Sequence, residues 1–281
     1  MIILGQHADN NRGVGSTFEA SLAQCEMFGL EHIEIGTTMG LYFVAALGYE
    51  PSVNMYDDPL EYKKKADKIG VRFSQVDAAS PMFEFAGATQ GMLYTTQGIR
   101  FASDLGAKSI DTTDRGAPAD FYTRDYAWDH GVRNYTELLK WAENYKIVVN
   151  IETHGVYTQD AEFMLKFMSH FESEYLGINF DTGNTFIAGN DPLEYLKQVI
   201  KYVKHMHIKD VDPVLADESL GEETGIGMSY IPIGSGANGE NIRKCLEYLM
   251  EIGWNGDISL ECAGTDENVG ASAKWIKSII G

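Results

Sequence analysis

The run Gly177-Ile178-Asn179-Phe180-Asp181-Thr182-Gly183-Asn184 decides the fold. Residues 177–180 read as a short buried strand that stops at a carboxylate on a tight turn. Three other segments share that design. Residues 147–151 run into Glu152, residues 205–208 carry His207, and residues 258–260 run into Glu261. The four polar residues follow one another at intervals of 29, 26 and 54 positions. The first two intervals each match one strand–helix unit, and the third matches a unit plus a long loop.

Outward from that run the chain alternates strand and helix. Strands are expected at 2–5, 32–35, 72–76 and 109–111, ahead of the four already named. Helices are expected at 18–28, 59–69, 91–105, 124–145, 160–170, 192–203, 240–252 and 269–280. The first opens at Ser16 or Thr17, and Gly29, Gly70, Gly106 and Gly253 each stand where a helix should stop. Residues 211–239 form the longest irregular connection, long enough to cover a site. Eight such units with no linker or repeat predict an α/β chain folded as one (β/α)8 barrel domain over residues 1–281. An open doubly wound sheet is the rival, but no G-x-G-x-x-G follows the first strand. The stretch Gly234-Ser235-Gly236-Ala237-Asn238-Gly239 is glycine-rich but late in the chain, a phosphate-loop signal of low specificity.

Composition narrows the partners. The 281 residues carry a net charge of −19, which excludes a nucleic-acid backbone and disfavours a heavily phosphorylated substrate. Three cysteines (Cys25, Cys245 and Cys262) without a C-x-x-C pair indicate neither a disulfide framework nor a structural zinc site. No segment approaches the roughly 18 apolar residues of a membrane span. Met1-Ile2-Ile3-Leu4-Gly5 lacks a basic leader, so a cytoplasmic protein with no membrane partner is expected.

In a barrel the C-terminal strand ends meet on one rim, so Glu152, Asp181, His207 and Glu261 should converge. Three clustered carboxylates would repel one another without a cation. Oxygen donors with one imidazole suit Mn²⁺, with Mg²⁺, Co²⁺ or Zn²⁺ as alternatives. The competing account is that each acid only caps the helix after its strand. His154, two after Glu152, is a candidate base or substrate contact. Lys209 is a candidate for stabilising a developing oxyanion. Asn184 and His7 are candidate substrate contacts, and Asp210 either orients His207 or Lys209 or caps the loop. Tyr42, Phe43, Phe83 and Phe85 either wall the pocket or pack beneath loops. Trp128, His130, His32, His170 and His205 are assigned to packing.

Phe180-Asp181-Thr182-Gly183-Asn184, His205-Met206-His207-Ile208-Lys209-Asp210 and Leu260-Glu261 together resemble the xylose-isomerase-like superfamily of sugar isomerases and epimerases. The resemblance covers nearly the whole chain. It implies a divalent-metal site on a (β/α)8 barrel and a small carbohydrate substrate. In the ketose 3-epimerase branch it implies that Glu152 and Glu261 relay a proton through an enediolate. The chain departs from that branch at Asn184, where those epimerases have histidine, and at Pro213, where they have arginine. Thr153-His154-Gly155 after Glu152 is also different. A second similar branch, the catalytic subunits of C-glycoside deglycosidases, implies elimination of an aglycone from a 3-oxo-glycoside, with His154 as base and a small partner subunit. A sugar-binding or regulatory barrel is the non-enzymatic alternative, and a homo-oligomer is expected of such barrels.

Overall fold

The computed structural model describes all residues except 12–14, 41–50, 115–122, 222–226, 228 and 262–263. Tyr42, Phe43 and Cys262 therefore lie outside the described residues.

Nine parallel strands are described: β1 (Ile2–His7), β2 (His32–Thr38), β3 (Val53–Asn54), β4 (Arg72–Pro81), β5 (Ser109–Thr113), β6 (Val148–Glu152), β7 (Leu176–Asp181), β8 (Val203–Ile208) and β9 (Gly256–Leu260). β1 pairs with both β2 and β9, which closes eight of them into a barrel. The unexpected ninth, β3, is a two-residue strand beside the outer end of β2, with Thr37 opposite Val53.

The helices are α1 (Phe18–Phe28), α2 (Pro59–Ile69), α3 (Gln90–Leu105), α4 (Arg124–Tyr145), α5 (Ala161–His170), α6 (Thr182–Ile187), α7 (Pro192–Val199), α8 (Pro213–Ser219), α9 (Gly239–Glu251) and α10 (Asp266–Ile280). Side-chain caps start most of them. Thr17, Asp58, Thr123, Asp160, Asp191, Asp212 and Thr265 each accept an amide N–H of the first turn. Gly29, Gly70 and Gly106 end α1, α2 and α3 in the left-handed conformation.

Three expectations need correction. The helix expected over 192–203 ends at Val199, a short 3₁₀ turn follows, and Val203 already belongs to β8. The connection 211–239 is not wholly irregular, because Asp212 caps and Pro213 opens α8. Residues after Asp181 do not form a turn but the short α6.

The apolar strand residues face outward. Ile33, Ile35, Val76, Ile110, Ile151, Phe180, Met206, Ile258 and Leu260 are buried, in one core cluster with helix residues such as Leu22, Ile99, Leu138, Phe167, Leu196, Leu246 and Ile276. Phe83 joins this layer. It is buried against Phe167 at 4.8 Å and Tyr135 at 5.6 Å between ring centroids, so it packs under the loop and does not wall a pocket. Phe85 is exposed and meets the edge of His130.

The interior of the barrel is polar. Asn150 on β6 donates to Gln75 on β4, and Asn179 on β7 donates to Asp111 on β5. Bonds that skip a strand can cross only through the interior. Glu34, Gln75, Asp111, Asn150, Asn179, His205 and Ser259 are all buried there. Gly177 leaves room for this layer, since a Cβ in its place would lie 2.3 Å from Asn150 Oδ1. At the N-terminal end Arg72 on β4 pairs bidentately with Asp257 on β9, at 2.8 and 2.5 Å.

Candidate functional site

The four residues at the strand ends converge. One donor atom from each of Glu152, Asp181, His207 and Glu261 lies within 4.8 Å of the others. Register explains this. Asp181 on β7 is level with His207 on β8, and Ile208 on β8 is level with Leu260, the residue before Glu261. His207 Nδ1 lies 3.0 Å from Glu152 Oε1 and 3.3 Å from Glu261 Oε2. Its Nε2 lies 2.9 Å from Glu34 Oε2, on the far side of the ring.

Asp181 does two things at once. Its Oδ1 accepts the Gly183 and Asn184 amides at 2.7 and 2.9 Å and so caps α6. Its Oδ2 faces the cluster, 3.2 Å from Lys209 Nζ. The capping account and the ligand account therefore describe different oxygens of one carboxylate. Lys209 Nζ also reaches Glu261 Oε1 at 2.9 Å and Asn184 Oδ1 at 3.0 Å. Asn184 in turn donates to Glu152 Oε1 at 3.4 Å and is fully buried, so it braces the cluster from within.

The electrostatics are those of a carboxylate cluster that gathers positive charge. Burial alone would lower the pKa of His207, but Glu34, Glu152 and Glu261 outweigh it and hold it well above the ordinary value. Burial would likewise lower Lys209, and Asp181 and Glu261 raise it instead. Burial, joined by Glu261 and Glu152, pushes Asp181 up to about 7 against the pull of Lys209. Burial would raise Glu261, yet Lys209 and His207 keep it well below the usual carboxylate range.

These residues fit a divalent cation. Glu261 Oε2 is buried and makes no hydrogen bond, although it faces His207 Nδ1. A cation among the four donors would satisfy it and relieve the repulsion between three carboxylates. A second trio, His7, Glu34 and His207, shares the imidazole. It is a poorer cation site. His7 Nδ1 accepts the Asp9 amide at 3.0 Å, so a neutral His7 carries its proton on Nε2. That Nε2–H points toward Asp77 at 3.6 Å and Glu34 at 3.9 Å as a donor. His7 thus lies beside the cluster, its ring centroid 5.5 Å from that of His207.

His154 follows Glu152 through a tight turn in which its amide approaches the Glu152 carbonyl at 2.9 Å. Its ring Nδ1 is buried without a hydrogen bond, and its proximity helps lower the Glu152 pKa against the effect of burial. Asp210 orients neither His207 nor Lys209. It fills the glycine-rich loop, where its carboxylate accepts the amides of Val211, Gly234, Gly236 and Asn238 at 2.8 to 2.9 Å. The loop's anion nest is therefore occupied by the chain's own carboxylate, and the phosphate-loop signal is overturned. A side chain at Gly236 would place Cβ 2.4 Å from the Val211 carbonyl and 2.5 Å from Asp210 Oδ1.

Sequence reasoning missed Glu34, Gln75, Asp77 and Asp111. The available signal was period two. In His32-Ile33-Glu34-Ile35 and Gln75-Val76-Asp77 polar residues alternate with apolar ones on strands whose other face is buried.

The description "Xylose isomerase-like TIM barrel" belongs to a family model that matches residues 22–279. An inosose dehydratase of Clostridium botulinum (strain Alaska E43 / Type E3) is 22% identical over 264 residues, covering 86% of this chain and 82% of the relative. An uncharacterised protein of Methanocaldococcus jannaschii is 29% identical over 140 residues, covering 47% of this chain and only 43% of that protein. Among solved structures, an L-ribulose 3-epimerase superposes with a TM-score of 0.77 at 15% identity, covering 100% of this chain and 95% of its own. The IOLI protein with a binding zinc atom superposes with a TM-score of 0.76 at 17% identity, covering 99% and 98%. The chain belongs to the xylose isomerase-like TIM-barrel family.

Proposed function

We propose that this member of the family is a divalent-metal-dependent enzyme that removes a proton beside a carbonyl of a small polyhydroxylated substrate, with epimerisation or isomerisation of a sugar as the leading outcome. The observation that carries the reading is the convergence of buried Glu152, Asp181 and His207 with half-buried Glu261 from four strand ends. Manganese is the ion we assign, from three carboxylates and one imidazole. The zinc held by the IOLI structure supports a divalent ion on this fold. When bound, such an ion polarises a carbonyl and acidifies the adjacent C–H.

The remaining work falls to side chains. Glu152 Oε1 faces the cluster and accepts from Asn184 Nδ2, which leaves its Oε2 for proton transfer. Glu261 Oε1 is held by Lys209, and its Oε2 makes no hydrogen bond. The two glutamates are the acid/base pair. Lys209 offers positive charge where an oxyanion develops. His154, beside Glu152, and His7 complete the proposed contacts to substrate, while Asn184 braces Glu152 and Lys209.

One observation favours a second outcome on the same site. The two glutamates are unequal, because Lys209 lies 2.9 Å from Glu261 and weakens it as a base. An unequal pair suits elimination, in which one carboxylate takes the proton from carbon and passes it to the departing hydroxyl, which leaves as water, while the Lys209 ammonium offsets the developing negative charge. The inosose dehydratase relatives support that version. Loss of an aglycone from a 3-oxo-glycoside is the same step with a larger leaving group.

The test is incubation of Mn²⁺-loaded protein in D₂O with ketoses, inososes and 3-oxo-glycosides, followed by mass spectrometry. Deuterium beside the carbonyl with a recovered epimer or isomer supports the leading outcome, while loss of water or aglycone selects elimination. Absence of both exchange and elimination across the panel would contradict the proposal.

A further inference from the structure

A chain of donors and acceptors runs through the barrel interior and ends on the His207 ring. Ser109 Oγ and Asn150 Nδ2 meet Gln75 Oε1 at 2.8 and 2.6 Å. That turns the Gln75 amide nitrogen toward Glu34, and it donates to Oε1 at 2.9 Å. The reverse orientation would set the Gln75 carbonyl against the Glu34 carboxylate. Glu34 Oε2 then lies 2.9 Å from His207 Nε2. An ionised carboxylate can only accept, so it holds a proton on Nε2. Asn179 Nδ2 is 3.1 Å from Nε2 and 3.3 Å from Nδ1, nearly equidistant, so it points along neither lone pair. Glu34 Oε1 accepts from Gln75 Nε2, and His205 Nε2 and His7 Nε2 lie 3.7 and 3.9 Å from the carboxylate, so Glu34 is placed as an acceptor.

We infer that Glu34 is a positioning residue, oriented by Gln75, that fixes His207 in the tautomer whose Nδ1 lone pair faces Glu152, Asp181 and Glu261. The inference rests on the quartet being a divalent-cation site. A carboxylate behind a metal-binding histidine sets its ring orientation and basicity, and losing one typically costs 10–100-fold in metal affinity. Here the device is more specific than a nearby negative charge. Its polarity is dictated two residues away by Ser109 and Asn150, so reversing one link should reverse the proton on the ring.

That polarity can be swapped. In Glu34→Gln, two amides face each other. Position 34 then either sets its NH₂ against that of Gln75 or presents it to His207 Nε2 and forces the proton onto Nδ1. In Glu34→Gln with Gln75→Glu, the new carboxylate accepts from Ser109, Asn150 and the residue-34 amide, whose carbonyl again accepts from Nε2. The expected result is a loss of Zn²⁺ and Mn²⁺ affinity of about 10–100-fold in the single variant, with recovery of most of it in the double variant. Long-range ¹H–¹⁵N correlation of the Zn²⁺-loaded wild type should show His207 with a proton on Nε2 and metal on Nδ1. This reading needs no variant to fold.

Three results would overturn the inference. One is a wild-type ring protonated on Nδ1. Another is a folded Glu34→Gln that binds cation within twofold of wild type. The third is a double variant no tighter than the single one, since that would show charge and not polarity to matter. A wild type that takes up no cation fails differently, because it removes the metal site itself and this inference with it.

Discussion

Asp181 shows how one residue can satisfy two accounts. Its Oδ1 caps α6 and its Oδ2 faces the cluster. Asparagine caps nearly as well as aspartate but brings no negative charge. Asp181→Asn should therefore abolish tight cation binding and leave the melting temperature of the cation-free protein close to wild type. Asp181→Ala should lose both, with a stability cost of about 1 kcal/mol for the cap. Calorimetric unfolding alongside Mn²⁺ titration separates the two roles. Equal destabilisation by both substitutions would show that the cap account is wrong. At this scale the quartet was legible in the sequence, because each member ends a recognisable strand. Glu34 was not. It lies mid-strand in Ile33-Glu34-Ile35, where period two sets it opposite the isoleucines but names no partner, and only His207 on β8 gives it a role.

At the scale of elements, most helices announced themselves through caps and stop glycines, and α6 and α8 did not. Thr182-Gly183-Asn184 contains poor helix formers, and six residues are too few for propensity to decide. Asp181 and the surrounding barrel impose that turn. For α8 the signal was present in Asp212-Pro213, a cap followed by proline, but it sat inside a glycine-rich connection. The end of that connection is pinned by Asp210, which accepts four amides. Asp210→Ala should leave those amides without their acceptor and cost at least about 2 kcal/mol. Hydrogen exchange at Gly234, Gly236 and Asn238 should accelerate more than at β8. Unchanged protection there would refute the pinning role.

At the scale of the whole molecule, the barrel is apolar outside its strands and polar within them. The sequence reading of short apolar strands captured the outer layer only, since period two hides half of each strand. The polar interior carries a pH liability at its N-terminal end. Burial pushes His32 down to about 4, with Arg72 adding to it and Asp257 opposing. A base whose folded pKa lies below its unfolded value near 6.5 favours folding above pH 6.5. That contribution is lost as the pH falls from 6.5 toward 4, and it amounts to about 3 kcal/mol. His32→Gln, which keeps a donor for the Ile3 carbonyl, should flatten the dependence of unfolding free energy on pH across that window. An unchanged slope would contradict the assignment to His32. Among the described residues no helix is long and apolar enough to cross a membrane.

The quartet joins all three scales, since residues from four strand ends meet only if the barrel closes as described. Equilibrium dialysis of wild type and His207→Ala against Mn²⁺, with bound metal counted per chain, tests it most directly. The account predicts one equivalent of tightly bound ion in the wild type and loss of that equivalent in a folded His207→Ala. A wild type that takes up no divalent ion, or a variant that retains it, would contradict the account.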